Sequence, residues 1–84
     1  MAIHNLYLVK DLARLTGLSI ETVKYYLKIG LIFEVGRSPE TNYRYFDEST
    51  INRVNSIIGL RRDRYPIKKI RELLEPEGSQ VELL

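Results

Sequence analysis

The 84-residue chain has no cysteine, no tryptophan and one histidine. Without thiols it can form no disulfide, and His4 alone cannot assemble a Cys/His metal cage, so neither metal nor cofactor is expected. Gly17, Gly30 and Gly36 lie too far apart to make a glycine-rich phosphate loop. The acids are scattered, with no nucleophile beside a base, and enzymatic function is not expected. No apolar run approaches the roughly 18 residues of a spanning helix. The first residues also lack the charged-then-apolar layout of a secretory signal, so the expectation is a cytoplasmic protein without a membrane partner. Stability must come from the small core of a single domain.

What the chain does have is an uneven charge. The formal net charge is +2, yet residues 1–71 carry all 13 Lys and Arg against seven acids, a net of +6. Residues 72–84 carry only four Glu, a net of −4. A basic body followed by an acidic end suits a polyanionic partner, because each phosphate neutralised by Lys or Arg releases condensed counterions. Ordinary surface charge would give the same total.

Apolar periodicity places the elements. Val9, Leu12 and Ala13 form the stripe of a short first helix, and Gly17 stands where a left-handed residue would stop it. Ser19 is placed to cap a second helix over about Ile20 to Ile29, ended by Gly30. Ile20, Val23 and Leu27 share its inward face, leaving Glu21, Lys24, Tyr25 and Lys28 outside. Tyr25 is apolar area that a merely solvated helix has no reason to expose.

Leu31 to Val35 and Tyr43 to Phe46 are β-prone runs around a loop of turn residues, predicting a hairpin with a long tip. Arg44 shares a side of the second run with Phe46. It suits either a phosphate contact or a structural cover for the hairpin. Asp47 caps a third helix to about Arg64 with Ile51, Val54, Ile57, Ile58 and Leu60 on its apolar side. Pro66 fits the first position of a fourth, with Ile67, Ile70, Leu73 and Leu74 inward. The expected fold is mainly α, a winged helix-turn-helix of four helices and a small two-stranded β-hairpin wing. Residues 1–75 form the domain, and 76–84 are an acidic tail or truncated linker.

Three segments in this order carry a resemblance: Asp11-Leu12-Ala13-Arg14-Leu15-Thr16-Gly17-Leu18-Ser19, then Thr22-Val23-Lys24-Tyr25-Tyr26 with Gly30-Leu31-Ile32, then Asn42-Tyr43-Arg44-Tyr45-Phe46-Asp47. Over about residues 6–74 the chain resembles the winged-helix DNA-binding domain of the mercury-resistance regulator (MerR) family. The resemblance implies a second helix in the major groove, with Thr22, Lys24 and Tyr25 as groove and phosphate contacts and Arg44 as the wing contact. Ser19 joins them as a phosphate contact besides its capping role. Residues 61–69 resemble the family's second wing, making Arg61, Arg62 and Arg64 candidate phosphate ligands or else a solvated cationic face. Lys28 and Arg37 complete the expected phosphate holds.

Lys24 stands where the family commonly has arginine, which keeps the charge and loses the planar fork. Leu27 replaces a usual acid. Relatives continue into a dimer-forming helix and a sensor domain that these residues do not include. The implied partner is double-stranded DNA in bacterial transcription control, at the nucleoid. Multiplicity would come from a second copy or side-by-side copies on DNA, and RNA polymerase would be met only indirectly. Two alternatives stay open: an excisionase-like or chromosome-organising DNA-bending protein, and a winged-helix protein-interaction module.

Overall fold

The computed structural model describes residues 6–74. The short lead-in and the acidic tail expected from the sequence lie outside the described residues. The first helix, α1 (Val9–Thr16), starts where the Asp11 carboxylate accepts the free Leu8 N–H at 2.9 Å, and it stops at Gly17, whose φ is +83°. Two residues later the Ser19 hydroxyl accepts from Thr22 N at 3.1 Å and opens α2 (Ile20–Lys28). The tight corner of a helix-turn-helix follows from these two caps.

Val23 and Tyr26 are the buried residues of α2, with Leu27 packed partly against the core. Ile20, expected inside, is 42% exposed. The packed stripe begins one turn further along, and the first turn of the helix stays at the surface.

A second correction concerns Leu31 to Val35, which form no strand. Gly30, at φ +75°, reverses the chain in a Schellman turn, with Leu31 N donating to Tyr26 O at 2.8 Å and Gly30 N to Leu27 O at 3.1 Å. Leu31 and Ile32 then both enter the core, which the alternation of a strand would forbid. The wing is shorter and later than expected: β1 (Gly36–Arg37) pairs antiparallel with β2 (Arg44–Tyr45), Gly36 opposite Tyr45 and Arg37 opposite Arg44. Tyr45 lies over Gly36 so closely that an added Cβ would collide with its ring and hydroxyl. Phe46, fully buried, exchanges backbone bonds of 2.7 and 2.8 Å with Tyr7 and ties the wing to the start of the domain.

Asp47 caps α3 (Glu48–Arg62) by accepting from Ser49 N at 3.0 Å. Ile51, Val54 and Ile57 join Leu12, Leu31, Ile32 and Phe46 in the core. The last helix, α4 (Ile67–Leu74), follows Pro66, whose carbonyl accepts from Ile70 N at 2.9 Å. Pro66 therefore flanks the helix instead of filling its first position. Ile70 is buried, while Leu73 is 49% exposed and lines an open cleft with Leu60 and Leu74.

Candidate functional site

With Val23 and Tyr26 turned inward, α2 presents Lys24, Tyr25 and Lys28 to solvent. Tyr25 is 50% exposed, its ring 6.1 Å from that of buried Tyr26, so an aromatic surface is held on a rigid base. The side chains of Lys24 and Lys28 have no ion pair or hydrogen bond among the described residues. Ser19 and Thr22 stand at the start of the same face with their hydroxyls 2.9 Å apart.

Lys24 also belongs to a groove of about 350 Å³ whose other walls are Leu8, Val9 and Lys10 at the start of the first helix and Asn42, Tyr43 and Arg44 of the wing. Cations from three elements thus converge on one depression, against apolar walls that lower the local dielectric. Lys10 makes no salt bridge among the described residues, though its charge acts on the neighbouring Asp11.

The wing cations are differently placed. Glu34 Oε2 accepts from Arg37 Nε at 2.9 Å, and its Oε1 lies 3.2 Å from Arg44 Nε. The hydrogen bond from Arg37 holds the Glu34 carboxyl below its ordinary range, with the charges of Arg37 and Arg44 adding to the effect. Arg37 also reaches Asn42 Oδ1 at 3.4 Å. Asn42 has φ +63° at the wing tip, a conformation asparagine tolerates.

Around the α3–α4 turn Arg61, Arg62 and Arg64 are all exposed. Arg61 donates to Tyr65 O at 3.3 Å, and Arg64 holds a left-handed backbone, φ +71°. Two further arginines serve the scaffold. Arg71 donates to Ile29 O at 2.8 Å and Gly30 O at 3.3 Å, while Arg53 donates to Leu31 O at 2.7 Å and lies 5.7 Å from the Phe33 ring. The C-cap carbonyl of α2 and the two carbonyls of the turn that follows are thereby gripped from α3 and α4.

The MerR HTH family regulatory protein model matches residues 7–77. The chain belongs to the MerR HTH family. Among curated MerR relatives, the HTH-type transcriptional regulator CueR of Bacillus subtilis (strain 168) is 33% identical over 69 residues, covering 82% of this chain and 47% of CueR. The solved HTH-type transcriptional regulator SkgA from Caulobacter crescentus superposes with a TM-score of 0.80 at 32% identity, over 90% of this chain and 54% of SkgA. HiNmlR, a MerR family regulator lacking the sensor domain, bound to promoter DNA, gives a TM-score of 0.74 at 25% identity, over 82% of this chain and 52% of its own. The chain thus spans about half the length of the MerR proteins it matches here. These relatives are transcriptional regulators. Among the described residues no cluster of His, Cys, Asp and Glu could hold a metal ion, and no helix is long and apolar enough to cross a membrane.

Of the sequence-derived site residues, the structure gathers Lys24 and Arg44 in the groove, with Tyr25 and Lys28 on the same helix face. Arg37 stands opposite Arg44 on the wing, while Arg61, Arg62 and Arg64 form a separate cluster. Sequence reasoning missed Lys10, Asn42 and Tyr43 as lining of the groove. It also missed Glu34 as the anion between the wing arginines. The Glu34-Arg37 spacing was readable as a local ion pair, whereas contacts across the wing depend on register.

Proposed function

We propose that the chain is the DNA-reading module of a bacterial transcription regulator, with α2 laid in the major groove and cations on either side of it holding the phosphates. The observation that carries this reading is the unpaired Lys24, which shares one helix face with exposed Tyr25 and one groove with Arg44. In this division of labour Lys28, Arg37, Arg44 and the Arg61, Arg62 and Arg64 cluster position the module on the backbone. Thr22, Lys24 and Tyr25 meet base edges, and Ser19 meets a phosphate at the start of the helix. One such module covers only about 600–1,000 Å² of protein surface, so a second copy on the DNA supplies the remaining affinity. RNA polymerase is reached only through the bound promoter.

Anisotropy titrations of a labelled duplex across a range of salt test the proposal. Binding is expected to weaken steeply as salt rises. Lys24→Ala and Arg44→Ala each weaken it with the fold intact, and Arg44→Ala does so about equally on specific and random duplexes. Tyr25→Ala lowers discrimination between sequences as well as affinity. Failure to bind duplex in dilute buffer sinks the proposal, and indifference to the Lys24 and Arg44 changes sinks the site assignment. A protein-docking role, which the exposed Phe33, Val35 and Tyr43 favour, predicts binding that salt barely alters.

A further inference from the structure

We infer that Glu34 is a tethered counterion of the wing, a carboxylate that occupies both wing arginines and that an incoming DNA phosphate must displace or share. The inference rests on reading the wing as a phosphate contact. Its geometry is specific: β1 and β2 set Arg37 directly opposite Arg44, and Glu34 offers one oxygen to each Nε, at 2.9 and 3.2 Å. Two like charges facing each other across a ladder repel, and the carboxylate between them relieves that repulsion. The three ions together carry a net charge of about +1, where the arginines alone would carry about +2.

The side chains of Arg37, Arg44 and Glu34 are 41%, 43% and 30% exposed, so the ion group faces solvent where a phosphate would arrive. Exposed pairs of this kind contribute little to stability. The wing has other holds, in Tyr45 over Gly36 and in the Tyr7-Phe46 bridge. The larger consequence is electrostatic. The gain in binding a phosphate through arginine comes from releasing condensed salt ions. At this wing the displaced anion is covalently part of the protein, remains beside the phosphate and repels it. Lys24, which shares the groove with Arg44 and has no carboxylate partner among the described residues, bears no such restraint. Glu34 therefore holds down sequence-independent affinity at the wing and leaves relatively more of the binding to α2.

Glu34→Gln keeps the size and the hydrogen-bond acceptor and removes the charge. Measured by anisotropy on a random duplex, it is expected to bind more tightly than the parent chain at low salt. The slope of log affinity against log salt should be steeper by about one unit, so that the advantage shrinks about threefold to fourfold between roughly 50 and 200 mM salt. In an Arg37→Gln, Arg44→Gln background the same change should give little gain. Weaker binding by Glu34→Gln would overturn the inference, since Glu34 would then be aligning the arginines for DNA. An unchanged affinity and slope would overturn it too. If Lys24→Ala still weakens binding in that case, the reading of α2 survives and only the wing is lost. Absence of duplex binding by the parent chain would remove the proposed function itself. A thermal melt accompanies each variant, and Glu34→Ser carries the same expectation if the Gln variant fails to fold.

Discussion

The ends of α2 and α3 use one device with different residues. Both close in a Schellman turn around a left-handed residue: Gly30 at φ +75° after α2, Arg64 at φ +71° after α3. At the first, glycine carries no steric penalty, and the exposed carbonyls are taken by Arg71 and Arg53. At the second, Tyr65 N donates to Leu60 O at 3.0 Å and Arg64 N to Arg61 O at 2.8 Å, yet the left-handed position is filled by a cation with a Cβ. Such a residue costs about 1–2 kcal/mol relative to glycine's ease there. The contrast separates two uses of arginine. Around α2 it holds the chain leaving the helix in place; after α3 it occupies a left-handed position at the surface at a backbone cost.

The largest expected effect falls on the α2 side. Arg71→Met removes the donor to Ile29 O and Gly30 O and should lower stability by about 2–4 kcal/mol, since hydrogen bonds to charged groups contribute about 1.5–3 kcal/mol each. Urea denaturation gives the value, and a loss within error of zero would mean that the carbonyls are equally well served by water. Gly30→Ala should cost about 1–2 kcal/mol from the left-handed backbone alone. The nearest atom to the added Cβ, Arg71 Nη1, lies at an ordinary 3.7 Å, so no clash adds to this.

Arg64→Gly is expected to go the other way, stabilising by about 0.5–1 kcal/mol once the greater unfolded-state freedom of glycine is subtracted. It should also weaken duplex binding, and a gain in stability with unchanged affinity would assign the cluster to solvation alone. The smallest effect distinguishes the helix starts. The hydrogen bond from Ser49 holds the Asp47 carboxyl below its ordinary value of 3.8, and the backbone bond from Leu8 does the same for Asp11. Groups so lowered contribute stability in full above that value and lose it as pH falls through their folded pKa. Denaturation midpoints followed into acid should therefore decline, and Asp47→Asn should flatten part of that decline.

Short-range chemistry was legible in the sequence. Gly17 and Ser19 defined the helix corner, Asp47 the start of α3, and Ile51, Val54 and Ile57 its buried face, because caps and stripes act within a few residues. Leu31 to Val35 misled for an equally local reason: a β-prone run after a glycine read as a strand, whereas the Schellman turn folds both Leu31 and Ile32 into the core. The candidate site was only partly legible. Lys24 and Tyr25 stood out by their position on α2. Arg53 and Arg71 counted merely as two more positive charges, because their carbonyl partners lie 22, 41 and 42 residues away.

What the amino acids determined by themselves is the order of elements, their caps and the basic excess of the body, since propensity, capping and charge are properties of residues and near neighbours. Only the tertiary structure decided which of those charges remain open to a partner. Availability depends on what stands within about 4 Å. For Arg37 and Arg44 that is a carboxylate, for Arg71 a helix end, and for Lys24 no charged or hydrogen-bonding partner among the described residues.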